Sequence, residues 1–213
     1  MPAIPTVKSV MKAPMSRPIP NYARETRLAA VPEPSAFLPS THPSRATMPY
    51  TTLVGRKGDE VYDQCLAIRI EVFVDEQKFT LEDELDEKDE ASDHLLLVEH
   101  LEDGSTRNVG TIRWWPIPGK RAGKMGRVAT IKACRGQGVG RVLVDVLERH
   151  LRERQGRAGE ALVASDEVES IAHSQAYAQG FYEKSGYVRE GDLFLEDGAD
   201  HVKMVKHIKL DPR

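Results

Sequence analysis

The chain predicts an α/β (α+β) fold, a mixed central sheet flanked by helices. Three observations carry that prediction. Short apolar strands come in pairs around turn residues, a strand runs through a glycine-rich turn into an apolar-striped helix, and a second helix precedes two terminal strands. In chain order, Thr51 to Val54 forms an opening strand broken by Gly55 and Gly58, and Asp59 caps a helix whose Val61, Cys65, Ile68 and Val72 share one face. An acidic segment follows. Leu95 to Val98 is a short strand, Asp103-Gly104 a turn, and Val109 to Ile117 a second strand with Ile112 and Trp114 on one face, Arg113 and Trp115 on the other. Pro116, Pro118 and Gly119 end it. Met125 to Ile131 gives the strand before the glycine turn. The helix after it repeats Val139, Val142, Leu143, Val146, Leu147, His150 and Leu151 at helical spacing. Ala161 to Ala164 is read as the next strand, Ile171 to Lys184 as a helix, and Tyr187 to Leu195 and His201 to Ile208 as the closing strands.

Composition divides the chain near residue 50. The first 49 residues hold ten of the thirteen prolines and carry net +4, which leaves −7 for the rest of a chain whose total is −3. Residues 1–49 therefore read as an extended, proline-rich extension and residues 50–213 as the folded domain. Scarce acids with several Arg and Ser also fit an organellar transit peptide there. With no run of 18 apolar residues and no charged-apolar-small leader, the expectation is a cytoplasmic protein with no membrane partner. Cys65 and Cys134 have the spacing of neither a disulfide framework nor a metal site, so no metal is expected. The lack of a basic stripe argues against a nucleic-acid partner.

The stretch Cys134-Arg135-Gly136-Gln137-Gly138-Val139-Gly140-Arg141 reads as a pyrophosphate cradle. Alternate glycines let backbone N–H groups approach an anion, the helix N-terminus adds free donors, and Arg135 and Arg141 bracket the turn with permanent charge. A Walker loop needs Lys and Ser or Thr after its last glycine, where Arg141-Val142 stands. A Rossmann fingerprint needs wider glycine spacing and an acid about 20 residues on.

Arg-Gly-x-Gly-x-Gly after a strand resembles the coenzyme A loop of the GNAT superfamily of acetyl-CoA dependent N-acetyltransferases. Downstream, Gln175, Ala178 and Phe181-Tyr182-Glu183-Lys184-Ser185-Gly186-Tyr187 resemble its second motif, with Gln where the superfamily has Asn. The likeness runs from about Leu53 to Leu210. Arg69 to Gln77, His94-Leu95-Leu96, His173-Ser174-Gln175-Ala176 and Glu196 to Met204 are similar to the ElaA and YjcF branch.

The resemblance implies a mostly antiparallel sheet and acetyl-CoA as donor. The cofactor would be held by the backbone of Val128, Ala129 and Thr130, the loop Arg135, Gly136, Gln137, Gly138, Val139, Gly140 and Arg141, and by Gln175 and Phe181. Tyr182 maps to the acid that protonates the leaving thiolate. Glu76 and His173 are candidate bases, with Glu196, Asp166 and His201 as further titratable groups. Glu76, Gln77, Trp115, Asp166 and His201 would face the acceptor. The implied acceptor is a primary amine on a small molecule such as an amino sugar or polyamine, reached by direct attack in a ternary complex. A homodimer is compatible with the resemblance. Protein lysine or N-terminal acetylation is the alternative within the enzyme class, and a degenerate CoA-binding interaction module the alternative outside it. The run Glu82 to Glu90 has seven acids and one Lys in nine residues. It reads either as a solvated loop or as an acidic rim that concentrates cationic amines.

Overall fold

The computed structural model describes residues 49–196 and 198–213. The proline-rich extension lies, up to residue 48, outside the described residues. Strand β1 (Tyr50–Gly55) leads to helix α1 (Glu60–Arg69), which continues as a wider π-type turn over Ile70–Glu76. The acidic run forms a short α2 (Leu81–Glu84) and a 3₁₀ turn (Glu87–Ala91). Then come β2 (Asp93–His100), β3 (Thr106–Pro116), β4 (Ala122–Thr130), α3 (Val139–Arg152) and α4 (Gly156–Ala161). The chain closes with β5 (Glu167–Gln175), α5 (Gln179–Lys184), β6 (Val188–Glu196) and β7 (Ala199–Lys209).

The seven strands form one sheet in the order β1-β2-β3-β4-β5-β7-β6. Every neighbouring pair is antiparallel except β4 and β5. That exception follows from the connection. α3 and α4 intervene between β4 and β5, and a crossover of that length is what parallel pairing needs. On one face α3 buries Leu143, Leu147 and Leu151 against Leu95, Ile112, Trp114 and Met204, each leucine contributing roughly 1.5–3 kcal/mol. On the other, Cys65, Ile68 and Val72 pack on Leu96, Val98 and Ala129. A Cβ on Gly123 would stand 2.1 Å from Trp114 Cζ2, so the indole needs glycine there.

Three expectations are corrected. Ala161 to Ala164 is not a strand, because Ala158 and Leu162 lie four apart on the buried side of the α4 turn. The strand is β5, whose inward positions include Ser170 and Ser174, and Ser170 Oγ bonds the Tyr187 hydroxyl at 2.8 Å. Hydroxyls at core positions conceal the alternation that marks a strand. The helix expected from Ile171 is therefore strand to Gln175 and α-helix only from Gln179. Asp59 stands at the N-cap of α1, but its carboxylate accepts from Arg56 N–H at 2.9 Å rather than from the helix.

The acidic run is not a plain solvated loop. Fully buried Arg69 donates from Nε to Glu84 and from Nη1 and Nη2 to Asp89 at 3.1 Å each. Arg113 on β3 donates to Asp86 and Asp89, both at 2.7 Å. Arg127 on β4 donates to the carbonyls of Asp83 (2.8 Å) and Glu84 (3.2 Å). Burial alone would raise the Asp89 carboxyl, but Arg69 and Arg113 outweigh it and hold it down at about 2.

Two outcomes follow. Arg69→Met leaves Glu84 and Asp89 buried without their main partner, and a loss of about 3–5 kcal/mol is expected in urea unfolding. Because the folded-state pKa of Asp89 lies below its ordinary 3.8, its contribution is full above pH 3.8 and disappears as pH falls through about 2. Stability titrated by circular dichroism should fall in that window, and Asp89→Asn should flatten the fall.

Candidate active site

The parallel pairing of β4 with β5 runs only from Ala122↔Glu169 to Met125↔Ala172. Beyond it β4 continues to Thr130 on the β3 side and β5 to Gln175 on the β7 side, so the two strands part. A bulge shapes the opening: between the pairs Thr111↔Ala129 and Arg113↔Gly126, Arg127 and Val128 oppose Ile112 alone. Arg127 adopts φ 51° there, a left-handed conformation held by its bonds to the acidic segment. A cleft of about 470 Å³ fills the opening, with Met125, Val128, Ser174, Gln175, Phe181 and Tyr182 among its walls.

The cradle adjoins it. Gly136 and Gly138 have φ of 76° and 85°, and Gly138 is the N-cap of α3. Its carbonyl accepts the first helical bonds, from Arg141 (2.9 Å) and Val142 (3.1 Å). The N–H groups of Val139 and Gly140 thus precede any intrahelical donor. A Cβ on Gly140 would meet Phe181 at 3.1 Å, so glycine also lets α5 approach the first turn of α3. Both arginines are oriented. Arg135 donates Nε to Thr130 C=O at 3.0 Å and pairs with Glu76 at 2.7 Å, while Arg141 reaches Lys184 C=O at 2.7 Å. Gln137 caps Ala133 C=O at 2.9 Å. Fixed charges around free backbone donors suit a pyrophosphate. The unpaired edge of β4 over Gly126 to Thr130 suits an extended amide-bearing arm.

The expected site residues divide into two groups. Gln77, Val128, His173, Gln175, Phe181, Tyr182 and His201 line the cleft. Glu76 does not, since its carboxylate is engaged by Arg135. Trp115 faces the same side as its cross-strand partner Lys124, but the Lys88 ammonium covers its ring, 5.5 Å from the centroid. Asp166 is exposed just before β5, roughly 25 Å of strand from Ser174. The placement of Asp166 beside the cofactor depended on a strand over Ala161 to Ala164, which the fold does not contain.

Tyr182 is 9% exposed, and burial, with a smaller contribution from Tyr177, pushes its phenol up to about 12. His173 Nδ1 lies 2.7 Å from Glu196 Oε2 and 3.1 Å from Lys124 Nζ. Burial lowers the imidazole pKa and Lys124 adds to that, against Glu196. Burial likewise lowers the Lys124 ammonium, with Lys88 and Arg113 adding to it against Glu196. His201 Nδ1–H donates to Ala199 C=O at 2.9 Å, which orients the ring.

Sequence reasoning missed Lys88, Lys124, Arg113 and Arg127 as cleft residues. The alternation Lys124, Gly126 opposite Trp115, Arg113 marks one face of the β3–β4 pair. The bulge at Arg127, which turns that side chain into the acceptor wall, leaves no sequence signature.

This is the geometry of an acyl-CoA dependent acyltransferase. The family model for the acetyltransferase (GNAT) domain matches residues 63–208, and the chain belongs to that family. It is similar to the N-acetyltransferase YjcF of Bacillus subtilis, 32% identical over 151 residues that cover 70% of this chain and 95% of the relative. Among solved structures it is similar to an acyl-CoA N-acyltransferase from Pseudomonas aeruginosa, at TM-score 0.57 and 27% identity over 74% of this chain and 99% of that one. Escherichia coli ElaA shares the fold at TM-score 0.56 and 21% identity, over 74% and 99% of the two chains. The chain is thus related to YjcF, and it shares its fold with ElaA.

Gly138→Asp places a carboxylate in the cradle on a backbone at φ 85°, and coenzyme A affinity should drop below detection. Titration calorimetry on the folded variant checks this; unchanged affinity would place the cofactor elsewhere.

Proposed function

We propose that the protein transfers an acetyl group from acetyl-CoA to the primary amine of a small molecule, by direct attack within a ternary complex. The observation that supports this best is that the unpaired edge of β4 and Tyr182 line one cleft, and the glycine cradle adjoins it where Gly140 approaches Phe181. Bound acetyl-CoA supplies the acetyl group already activated as a thioester. The chain's part is to hold, polarise and move protons. Backbone N–H groups around Val128 to Thr130 polarise the carbonyl, a task that needs no side chain.

Tyr182 keeps its proton throughout the physiological range. A phenol near 12 facing a thiol near an ordinary ~8.5 makes complete transfer uphill by roughly 5 kcal/mol. Its contribution is therefore a hydrogen bond to the departing sulfur, strengthened as charge grows there. His173 serves as base. The shorter, charge-assisted bond from Nδ1–H to Glu196 fixes the tautomer with Nε2 basic. Glu76 acts on the cofactor side by orienting Arg135. Within the acidic run, Glu84, Asp86 and Asp89 are each bound to arginine and so are not free to attract a cationic acceptor.

An acetyl-CoA dependent screen over amines with mass detection tests the activity. Tyr182→Phe keeps the ring and loses the donor, so kcat should fall on the order of 10²-fold with little change in coenzyme A affinity. Near-normal turnover with chemistry rate-limiting would return Tyr182 to packing. His173 must be neutral to act, and its pKa lies below 6.5. The acid limb of kcat at saturating substrates should accordingly fall below pH 6.5. Glu196→Gln removes a charge that raises the imidazole and should move the limb lower still.

A further inference from the structure

The acceptor end of the cleft carries four Lys or Arg side chains, and two of them are paired with no carboxylate. Lys88, Arg113, Lys124 and Arg127 all line it. Arg113 and Arg127 are committed to the acidic segment. Lys88 and Lys124 are not: among the described residues, neither ammonium has a carboxylate oxygen within 4.0 Å. Glu196, the nearest acid in kind, gives its oxygen to His173 at 2.7 Å. Once His173 donates Nδ1–H to Glu196, the Lys124 ammonium at 3.1 Å faces a nitrogen with no lone pair to offer. The guanidinium Nε of Arg113, buried in the same wall, has no partner among the described residues. Two half-buried ammoniums on one face of the β3–β4 pair, beside a third cation, repel one another. Burial chiefly lowers the Lys124 ammonium, and Lys88 and Arg113 add to that lowering.

Such an arrangement is relieved by an anion. Asp83, meanwhile, is a cleft carboxylate with no Lys or Arg nitrogen within 4.0 Å among the described residues, held by Thr80 Oγ1 at 2.6 Å. Resting on the acyltransferase reading above, we infer that the acceptor is an amine that carries an anionic group, a carboxylate or phosphate, and that Lys88 and Lys124 hold that group. Asp83 is then available to the ammonium form of the same molecule as it enters. This replaces a polyamine or amino sugar with an amino-acid-like or phosphorylated amine.

The experiment uses the full chain with acetyl-CoA and matched amines: β-alanine against propylamine, O-phosphoethanolamine against ethanolamine, and spermidine as a cation. The anionic member of at least one pair should have kcat/KM about 10-fold to 100-fold higher, the range of one or two charge-assisted bonds. The pair that shows it tells carboxylate from phosphate. In the Lys88→Met/Lys124→Met double variant that ratio should fall toward one, and in the Lys88→Arg/Lys124→Arg variant it should persist. Parity in the wild type, a preference for spermidine, or a ratio unmoved by the methionines overturns the inference. If no amine is acetylated, the acyltransferase reading is what fails. Calorimetric titration of propionate and of inorganic phosphate into the coenzyme A complex then decides the anion site: binding lost in the methionine variant upholds it, and no binding to the wild type refutes it.

Discussion

Everything at the site depends on where β4 and β5 stop pairing. A strand edge buried in a protein interior must find partners for its N–H and C=O groups. After Met125 and Ala172 the sheet denies them to each other. The separation is enforced from outside, since β5 stays in register with β7 along its whole length, Glu167↔Lys209 to Gln175↔His201. β4 stays with β3 through a bulge that absorbs one residue. Two well-ordered antiparallel ladders thus diverge from a short parallel seam. The gap between them is a slot lined with backbone donors and acceptors, a shape suited to an extended amide-bearing ligand. The helix that bridges the seam, α3, begins at the same end, so its free N-terminal donors lie next to the slot by the logic of the crossover.

The buried ion cluster is the second constraint, and it acts on shape more than on stability. Burying Arg69, Glu84 and Asp89 costs several kcal/mol per ion, which mutual attraction only offsets when hydrogen bonds are complete. Here they nearly are: Arg69 uses Nε, Nη1 and Nη2, and Asp89 also accepts from the Tyr62 hydroxyl at 3.1 Å. The cluster ties the end of α1, the acidic segment, β3 and β4 together beside the apolar packing of Cys65, Ile68 and Val72. It also accounts for Arg127, whose positive φ costs on the order of 1 kcal/mol or more and persists because its guanidinium is fixed to two carbonyls of the acidic segment.

Legibility in the sequence followed the range of the interactions. α3 and its cradle were readable because the signal is local: apolar residues at helical spacing, and glycines where the backbone turns left-handed at Gly136 and Gly138. β5 was not, because its inward Ser170 and Ser174 look polar until the Tyr187 hydroxyl, from the far side of α5, meets Ser170 and the Gln175 carbonyl accepts from Ser174. The acidic run hid its nature for a related reason. Its neutralising arginines lie 15 to 44 residues away in sequence, so local charge counting returned a solvated loop or a rim. Asp93 illustrates the same limit. Its carboxylate accepts from the N–H groups of Arg157 and Ala158 and from His150, capping α4 across more than 50 residues.

The two ends of the cleft are therefore built from different materials, and this separates what they can specify. The cradle end relies on backbone N–H groups, strand divergence and glycine conformation. The acceptor end relies on side chains alone. Lys88 comes from the acidic segment, Lys124 from β4, His173 from β5 and His201 from β7, and each position presents its group to the cleft without being needed for the strand that carries it. Substituting any of them leaves the ladders intact while changing the charge the acceptor meets. One end of the cleft is thus a product of the topology, and the other of a few side chains on neighbouring elements.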